Sequence, residues 1–223
     1  MLPATAVIPT LDANATVGAA ISCVKPWVEQ VVIVDGGSQD DTVSVAEKAG
    51  ATVISAPRGR GGQLAAGAEA SAGCWLIFLH GDTVLEEGWA QEVRAFIGDV
   101  GNARRAGAFR FALDDEISAA RRIEWLVAWR CKVFGLPYGD QGLVISKEFY
   151  EQIGGFSPLP LFEDVDIVRK IGRARLTLLN SAAVTSAARY RRGGYLLRPI
   201  RNLFLMTLYF AGLPPRFLLR LYG

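Results

Sequence analysis

Short apolar runs that stop at Gly, Asp or Pro recur along the first hundred residues, separated by segments with helical spacing. The clearest lies in Cys74 to Thr83, where Trp75-Leu-Ile-Phe-Leu79 ends abruptly at His80-Gly81-Asp82. A run of that length bounded by a turn reads as a buried strand, and ligands of open α/β sheets gather where such strands end. Ala4 to Ile8, Gln30 to Val34 and Ala51 to Ser55 read as three further strands. Helices are predicted after each: from an Asn14 cap to about Val24, from Asp40-Asp41-Thr42 to Gly50, after a glycine-rich loop at 58–62 as far as Gly73, and from about Glu86 to Ile97. Four such alternations with short connections call for a mostly parallel central sheet flanked by helices.

After Gly101 the pattern loosens. Arg105 to Leu113 reads as a weaker strand, Ile117 to Phe134 as a helix with an aromatic face at Trp125 and Trp129, and Gly135 to Gly142 as a turn-rich loop before Leu143 to Ser146. A short helix ending at Gly154-Gly155, a Pro-rich loop and a helix opening at Phe162-Glu163-Asp164-Val165-Asp166 follow. No repeat or long linker interrupts the chain. Residues 1–194 therefore read as one α/β domain, with 195–223 a basic amphipathic helical tail of the same unit.

Hydrophobic residues make up 51% of the 223, enough for a large core. Cys23, Cys74 and Cys131 lie far apart with no C-x-x-C pair, which fits reduced thiols in the core of a cytoplasmic protein rather than a disulfide framework. The N-terminal residues lack the charged start and long apolar middle of an export signal. The net charge of +2 hides an asymmetry, because Ile167 to Gly223 holds 11 basic and no acidic residues. That leaves 13 basic against 22 acidic residues before it, so a body near −9 carries a tail of +11. Such a tail suits an anionic partner or neutralises the body. Leu203 to Leu213 is far short of the ~20 apolar residues of a membrane span. With Arg198, Arg201, Arg216 and Arg220 around it, the segment suits either an anionic membrane surface or packing in a homodimer.

Acidic clusters fall at strand ends or helix starts: Asp35 with Asp40, Asp82, and Glu163, Asp164 and Asp166. A buried charge needs pairing or a metal, so three clusters along one sheet edge point to a site. Singly, each is also ordinary turn or helix-start chemistry.

The ordered set Val7-Ile-Pro-Thr10, Val32-Val-Ile-Val-Asp35-Gly-Gly-Ser38-x-Asp40-x-Thr42, Gly62-x4-Gly67, Asp82 and Glu163-Asp164-x-Asp166 resembles the family 2 glycosyltransferases over roughly three quarters of the chain. Tyr138-Gly-Asp-Gln141 and Phe162-Glu-Asp-Val-Asp166 further resemble a short bacterial subgroup linked to arsenosugar biosynthesis. The resemblance implies a GT-A fold, a nucleotide-diphosphate sugar donor such as a UDP-sugar, Mn²⁺ or Mg²⁺, and inversion at the anomeric carbon. It implies that Pro9, Thr10, Asp35, Ser38, Asp40 and Gly62 serve the donor nucleotide and that Asp82, with His80, holds the metal. Asp164 becomes the base that deprotonates the acceptor hydroxyl. Asp140, Gln141, Glu163, Asp166, Arg189 and Arg191 become candidates for acceptor or diphosphate contacts, with Arg58 and Arg60 beside the donor.

Two positions depart from the family pattern. His80 stands where the first carboxylate of an Asp-x-Asp motif is usual, and Asp12-Ala-Asn14 where Asn-Glu is common. Imidazole is compatible with Mn²⁺, whereas Mg²⁺ prefers oxygen, and a lone histidine is also a common structural group. Gly59-Arg-Gly61-Gly-Gln-Leu64 partly imitates a dinucleotide fingerprint but lacks the third glycine. A nucleic-acid module is disfavoured by the acidic sheet edge. A non-catalytic nucleotide-sugar binder leaves the third acidic cluster unused.

Overall fold

The computed structural model describes residues 1–222; Gly223 and the side chains of Arg216, Arg220 and Tyr222 lie outside the described residues, and with them two of the expected tail arginines. The elements are β1 (Leu2–Thr10), α1 (Val17–Val24), β2 (Val28–Asp35), α2 (Thr42–Lys48), β3 (Thr52–Ser55), α3 (Arg60–Glu69), β4 (Trp75–Phe78), β5 (Thr83–Leu85), α4 (Trp89–Gly98) and β6 (Ala106–Leu113). There follow α5 (Ser118–Phe134), β7 (Leu143–Ser146), α6 (Lys147–Gln152), α7 (Glu163–Ile171), β8 (Leu176–Thr185), α8 (Ala188–Gly193), α9 (Leu197–Phe210) and α10 (Pro215–Tyr222).

One sheet runs through the molecule in the order β3-β2-β1-β4-β7-β6-β8-β5. Its first half is parallel as expected, with β1 in register beside β2 and β4. The second half is mixed: β7 runs antiparallel to β4 and β6, β8 is parallel to β6, and β5 closes the edge antiparallel to β8. The parallel half buries both faces, and the period of two decides which side chain goes where. Ala4, Ala6 and Ile8 of β1 with Val31 and Ile33 of β2 meet α1 and α4 on one face. Val7, Val32 and Val34 meet α3, α6 and α7 on the other. Gly67 permits that second contact, since a Cβ there would fall 2.3 Å from Val7 Cγ1 and 2.8 Å from Val34 Cγ2.

Three expectations need correction, and two strands were not foreseen. Asn14 caps nothing: α1 starts at Val17, and the Asn14 N–H is instead taken by Asp40 at 3.1 Å. The glycine-rich segment is not all loop, because α3 begins at Arg60 and absorbs Gly61 and Gly62 into its first turn. Cys74 is exposed rather than part of the core. The strands β5 and β8 carry no turn-bounded apolar run and become strands by pairing, an example of tertiary context overriding local pattern.

Candidate active site

The carboxyl ends of β1, β2 and β4 lie side by side, and each ends in a polar turn. Asp35, last in β2, is only 4% exposed and accepts hydrogen bonds from Gly37 N and Ser38 N, both at 2.9 Å, from Ser38 Oγ, and from Thr10 Oγ1 at 3.3 Å. Burial pushes its carboxyl up, but these bonds together outweigh it, and its pKa falls below the ordinary value. The turn is braced from β1: Asp12 N–H donates to Ser38 Oγ at 2.9 Å and Gln39 N–H to Asp12 Oδ1 at 2.8 Å. Asp40 binds the Thr42 N–H and hydroxyl and the Asn14 N–H. From the first turn of α3, Gln63 Nε2 donates to Thr10 O and Val34 O, at 2.9 and 2.8 Å, and so clamps the ends of β1 and β2.

A depressed native pKa means that Asp35 contributes stability above the unfolded value near 4 and that this contribution fades as the pH falls towards the native value. Asp35→Asn should therefore lower the free energy of unfolding in urea at pH 7 by about 1–3 kcal/mol, and the gap from the wild type should narrow at pH 3. A gap independent of pH would exclude an electrostatic role.

Beside this turn opens a cleft with about 880 Å³ of empty space, counting the solvent at its mouth. His80 and Asp82 enter it from the end of β4, Tyr138 and Asp140 from the loop before β7, Asp164 from the first turn of α7, and Thr185 and Ser186 from the end of β8. Arg60 of α3, Arg189 of α8 and Arg198, Asn202, Leu205 and Met206 of α9 add to the wall. The 80–82 turn touches the nucleotide-side candidates, since a Cβ on Gly81 would sit 3.3 Å from Thr10 Cγ2. Asp164 is held by Gly139 N–H to Oδ2 at 2.9 Å and Val165 N–H to Oδ1 at 2.8 Å. Gly139 has to be glycine here, because a Cβ would fall 2.8 Å from His80 Nε2 and 3.4 Å from Asp164 Cβ.

Burial, reinforced by the charges of Arg60 and Arg189, lowers the His80 pKa to about 3, so its imidazole is neutral near pH 7. Burial also pushes Asp140 up to about 6, against the pull of Arg130 and with help from Asp164. Its Oδ1 is buried with no hydrogen-bond partner. Glu163, 1% exposed, pairs with Arg60 Nε at 2.9 Å, leaving its Oε2 without a partner. Burial raises its proton affinity, Arg60 opposes this, and Asp164 adds to it. Arg189 Nη2 lies 3.8 Å from Asp82 Oδ2. Among the described residues no three His, Cys, Asp or Glu side chains converge as a ready metal site.

His80, Asp82, Asp140, Asp164 and Arg189 thus share one cleft; of the other acceptor or diphosphate candidates, Glu163 is buried against Arg60, and Gln141, Asp166 and Arg191 are engaged elsewhere. Gln141 is 2% exposed and is consumed inside the protein, its Nε2 donating to Phe109 O and its Oε1 accepting from Tyr138 N–H, Arg130 and Cys131. Asp166 is tied to Ser157 Oγ at 2.7 Å and Lys170 at 3.0 Å. Arg191 turns to Asp114 and Asp115, at 2.8 and 3.4 Å. Around Gly62 the position a Cβ would take is open. Sequence reasoning missed Gln63, whose signal was a lone amide after two glycines at a helix start. It also missed Thr185 and Ser186 with their strand.

The profile of Glycosyl transferase family 2 matches residues 5–141. An uncharacterized glycosyltransferase of Rickettsia felis is 35% identical over 89 residues, 40% of this chain and 31% of that protein. One of Rickettsia conorii is 34% identical over 89 residues, 40% of this chain and 32% of that one. The chain thus spans about a third of the length of the curated relatives it matches. Glucosyl-3-phosphoglycerate synthase of Mycobacterium tuberculosis, solved with Mn²⁺, UDP and glucosyl-3-phosphoglycerate, superposes with a TM-score of 0.60 at 20% identity, over 90% of this chain and 78% of that one. The same enzyme with Mg²⁺ and UDP gives 0.58 at 20% identity, over 80% and 69%. The sheet flanked by helices is the GT-A fold. This chain belongs to glycosyl transferase family 2.

Proposed function

We propose that this chain is an inverting, metal-assisted glycosyltransferase that moves a sugar from a nucleotide-diphosphate donor, UDP-linked, to an acceptor hydroxyl. The observation that carries it is the meeting of Asp82 and Asp164 in one cleft beside the hydrogen-bonded Asp35 turn. The UDP complexes of the structural neighbours support the choice of donor. In this reading Asp35, Thr10 and Pro9 hold the base, Ser38 and Asp40 stiffen their turn, and the start of α3 at Gly62 faces the donor. Asp164 takes the acceptor proton as the acceptor oxygen attacks the anomeric carbon and the bond to the diphosphate breaks. Arg189 adds positive charge beside the departing diphosphate.

Asp82 and a neutral His80 fit a divalent ion as two ligands, one oxygen and one nitrogen, which favours Mn²⁺ over Mg²⁺. When bound, such an ion offsets the negative charge that builds on the leaving group. With two protein ligands, such an ion would take its remaining ligands from elsewhere, donor phosphate oxygens among them. The tail belongs to the catalytic unit in this reading, since α9 supplies part of the cleft wall.

UDP with Mn²⁺ should accordingly raise the melting temperature, whereas Mn²⁺ alone should move it little. At a hundredfold excess over Kd, ligand binding adds about 2.7 kcal/mol. For a chain of this size that is roughly 5–10 °C. UDP release from UDP-sugars with Mn²⁺ and an acceptor panel is the activity test. The absence of a shift with every nucleoside diphosphate would overturn the donor assignment.

A further inference from the structure

Two helices expose apolar faces with basic flanks: α9, which forms part of the cleft wall, and α5, which leads into the loop that carries Tyr138 and Asp140. On α5, Trp125 is 65% exposed, and Leu126, Trp129 and Val133 follow at helical spacing, all exposed, with Arg122 and Lys132 exposed on the same helix. Its one acid, Glu124, is engaged with Leu113 N–H and Arg121. On α9, Leu197, Ile200, Leu203 and Phe204 are exposed, while Asn202, Leu205 and Met206 of the same helix line the cleft. The helices are linked at both ends. Tyr138, just past α5, touches Met206 of α9, and Tyr195, just before α9, packs into the cluster that holds Ile123 and Val127 of α5.

Tryptophan, Leu and Phe on one side of a helix with Arg and Lys beside them match the composition of helices that lie in a membrane interface. Contiguous exposed apolar surface of this kind is unusual on a soluble monomer. A twofold contact through α9 would set basic residues against one another, since the chain after Asp166 carries no acid to pair with them. An anionic bilayer supplies both the apolar phase and the missing negative charge. Among the described residues no helix is long and apolar enough to cross a membrane, so the contact lies along the surface.

We propose that the outer faces of α5 and α9 dock on an anionic phospholipid bilayer, holding the cleft at the membrane surface. This stands on the exposed faces and is independent of the donor assignment.

The test is co-sedimentation of the full chain with vesicles of phosphatidylcholine alone or mixed with phosphatidylglycerol. Binding is expected to the mixed vesicles only, and to weaken as salt rises. Arg122→Glu with Lys132→Glu should weaken it at least 25-fold, taking about fivefold for each basic residue removed near an anionic surface. Trp125→Ser with Trp129→Ser, and separately Leu203→Ser with Phe204→Ser, should reduce it at least tenfold. A melting temperature and UDP response like the wild type's show that a variant is folded, and wild-type salt dependence tests the idea without any variant. Wild-type protein left in the supernatant with mixed vesicles would overturn the proposal. So would a wild-type dimer that the same variants dissociate, because the faces would then be covered by a second copy. Vesicle binding without any UDP response would leave the docking intact and remove the donor assignment instead.

Discussion

Asp164→Asn is expected to cut transferase turnover by about 10²–10⁴-fold, the usual scale for loss of a positioned base, while the rise in melting temperature with UDP and Mn²⁺ persists. The split follows from where the side chain sits. Both of its oxygens take backbone N–H bonds, from Gly139 and Val165, so its direction is set by the loop before β7 and the first turn of α7. An asparagine keeps an acceptor for one of those bonds, so the fold loses about 1 kcal/mol while the ability to take a proton is gone. Because Asp164 makes none of the hydrogen bonds that hold the Asp35 turn, the proposed nucleotide contacts stay. Loss of kcat with an unchanged UDP response is the signature of a group used in the transition state rather than in ground-state binding. Asp140→Asn is the matching control. Asp140 shares the cleft, has an unpartnered buried oxygen and is shifted to about 6, so it is the carboxyl best placed to be mistaken for the base. If Asp140→Asn lost more turnover than Asp164→Asn, the base would have to be reassigned to Asp140.

The parallel half of the sheet was legible because its inner strands β1, β2 and β4 are buried on both faces and so appear as largely apolar runs ending at a polar turn. Asp35 and Asp82 were legible for the same reason, standing where an apolar run breaks, whereas Asp164 was marked by the acidic opening of α7. What stayed hidden depends on partners distant in the chain. The strand β8 is half polar and gains its identity from β6 and β5, so Thr185 and Ser186 at its end went unseen. Asp140 and Gln141 are neighbours with the same apparent promise, and only packing separates them: Asp140 turns to the cleft, Gln141 to Phe109 O and Arg130. Arg189 and Arg191 divide in the same way. Composition distinguishes neither pair, because a polar side chain's use is decided by what folds against it.

The largest effect on stability is expected at Arg60, whose ion pair with Glu163 the sequence did not reveal. Arg60→Met should lower the melting temperature by roughly 5–10 °C, the equivalent of about 2–3 kcal/mol for a chain of this length. The first turn of α3 is pressed against the loop before α7, since a Cβ on Gly61 would fall 2.3 Å from Ser157 O. At that junction Arg60 meets Glu163, whose side chain is 2% exposed and already has one oxygen without a partner. Removing the guanidinium leaves a buried carboxylate uncompensated, a change that typically costs 3–5 kcal/mol; the lower figure allows for Arg60 being 35% exposed. The loss should also depend on pH in a defined sense. Glu163 already has a raised pKa, and without Arg60 it rises further, so the native state binds the proton that the unfolded chain has released. Stability then falls as pH climbs from the unfolded value near 4.3 through the native one, and the penalty of Arg60→Met should be greater at pH 8 than at pH 5. Adding Glu163→Gln to Arg60→Met should recover most of the melting temperature and flatten that pH dependence. A penalty equal at both pH values and unrelieved by Glu163→Gln would mean that Arg60 acts through packing of its stem rather than through its charge.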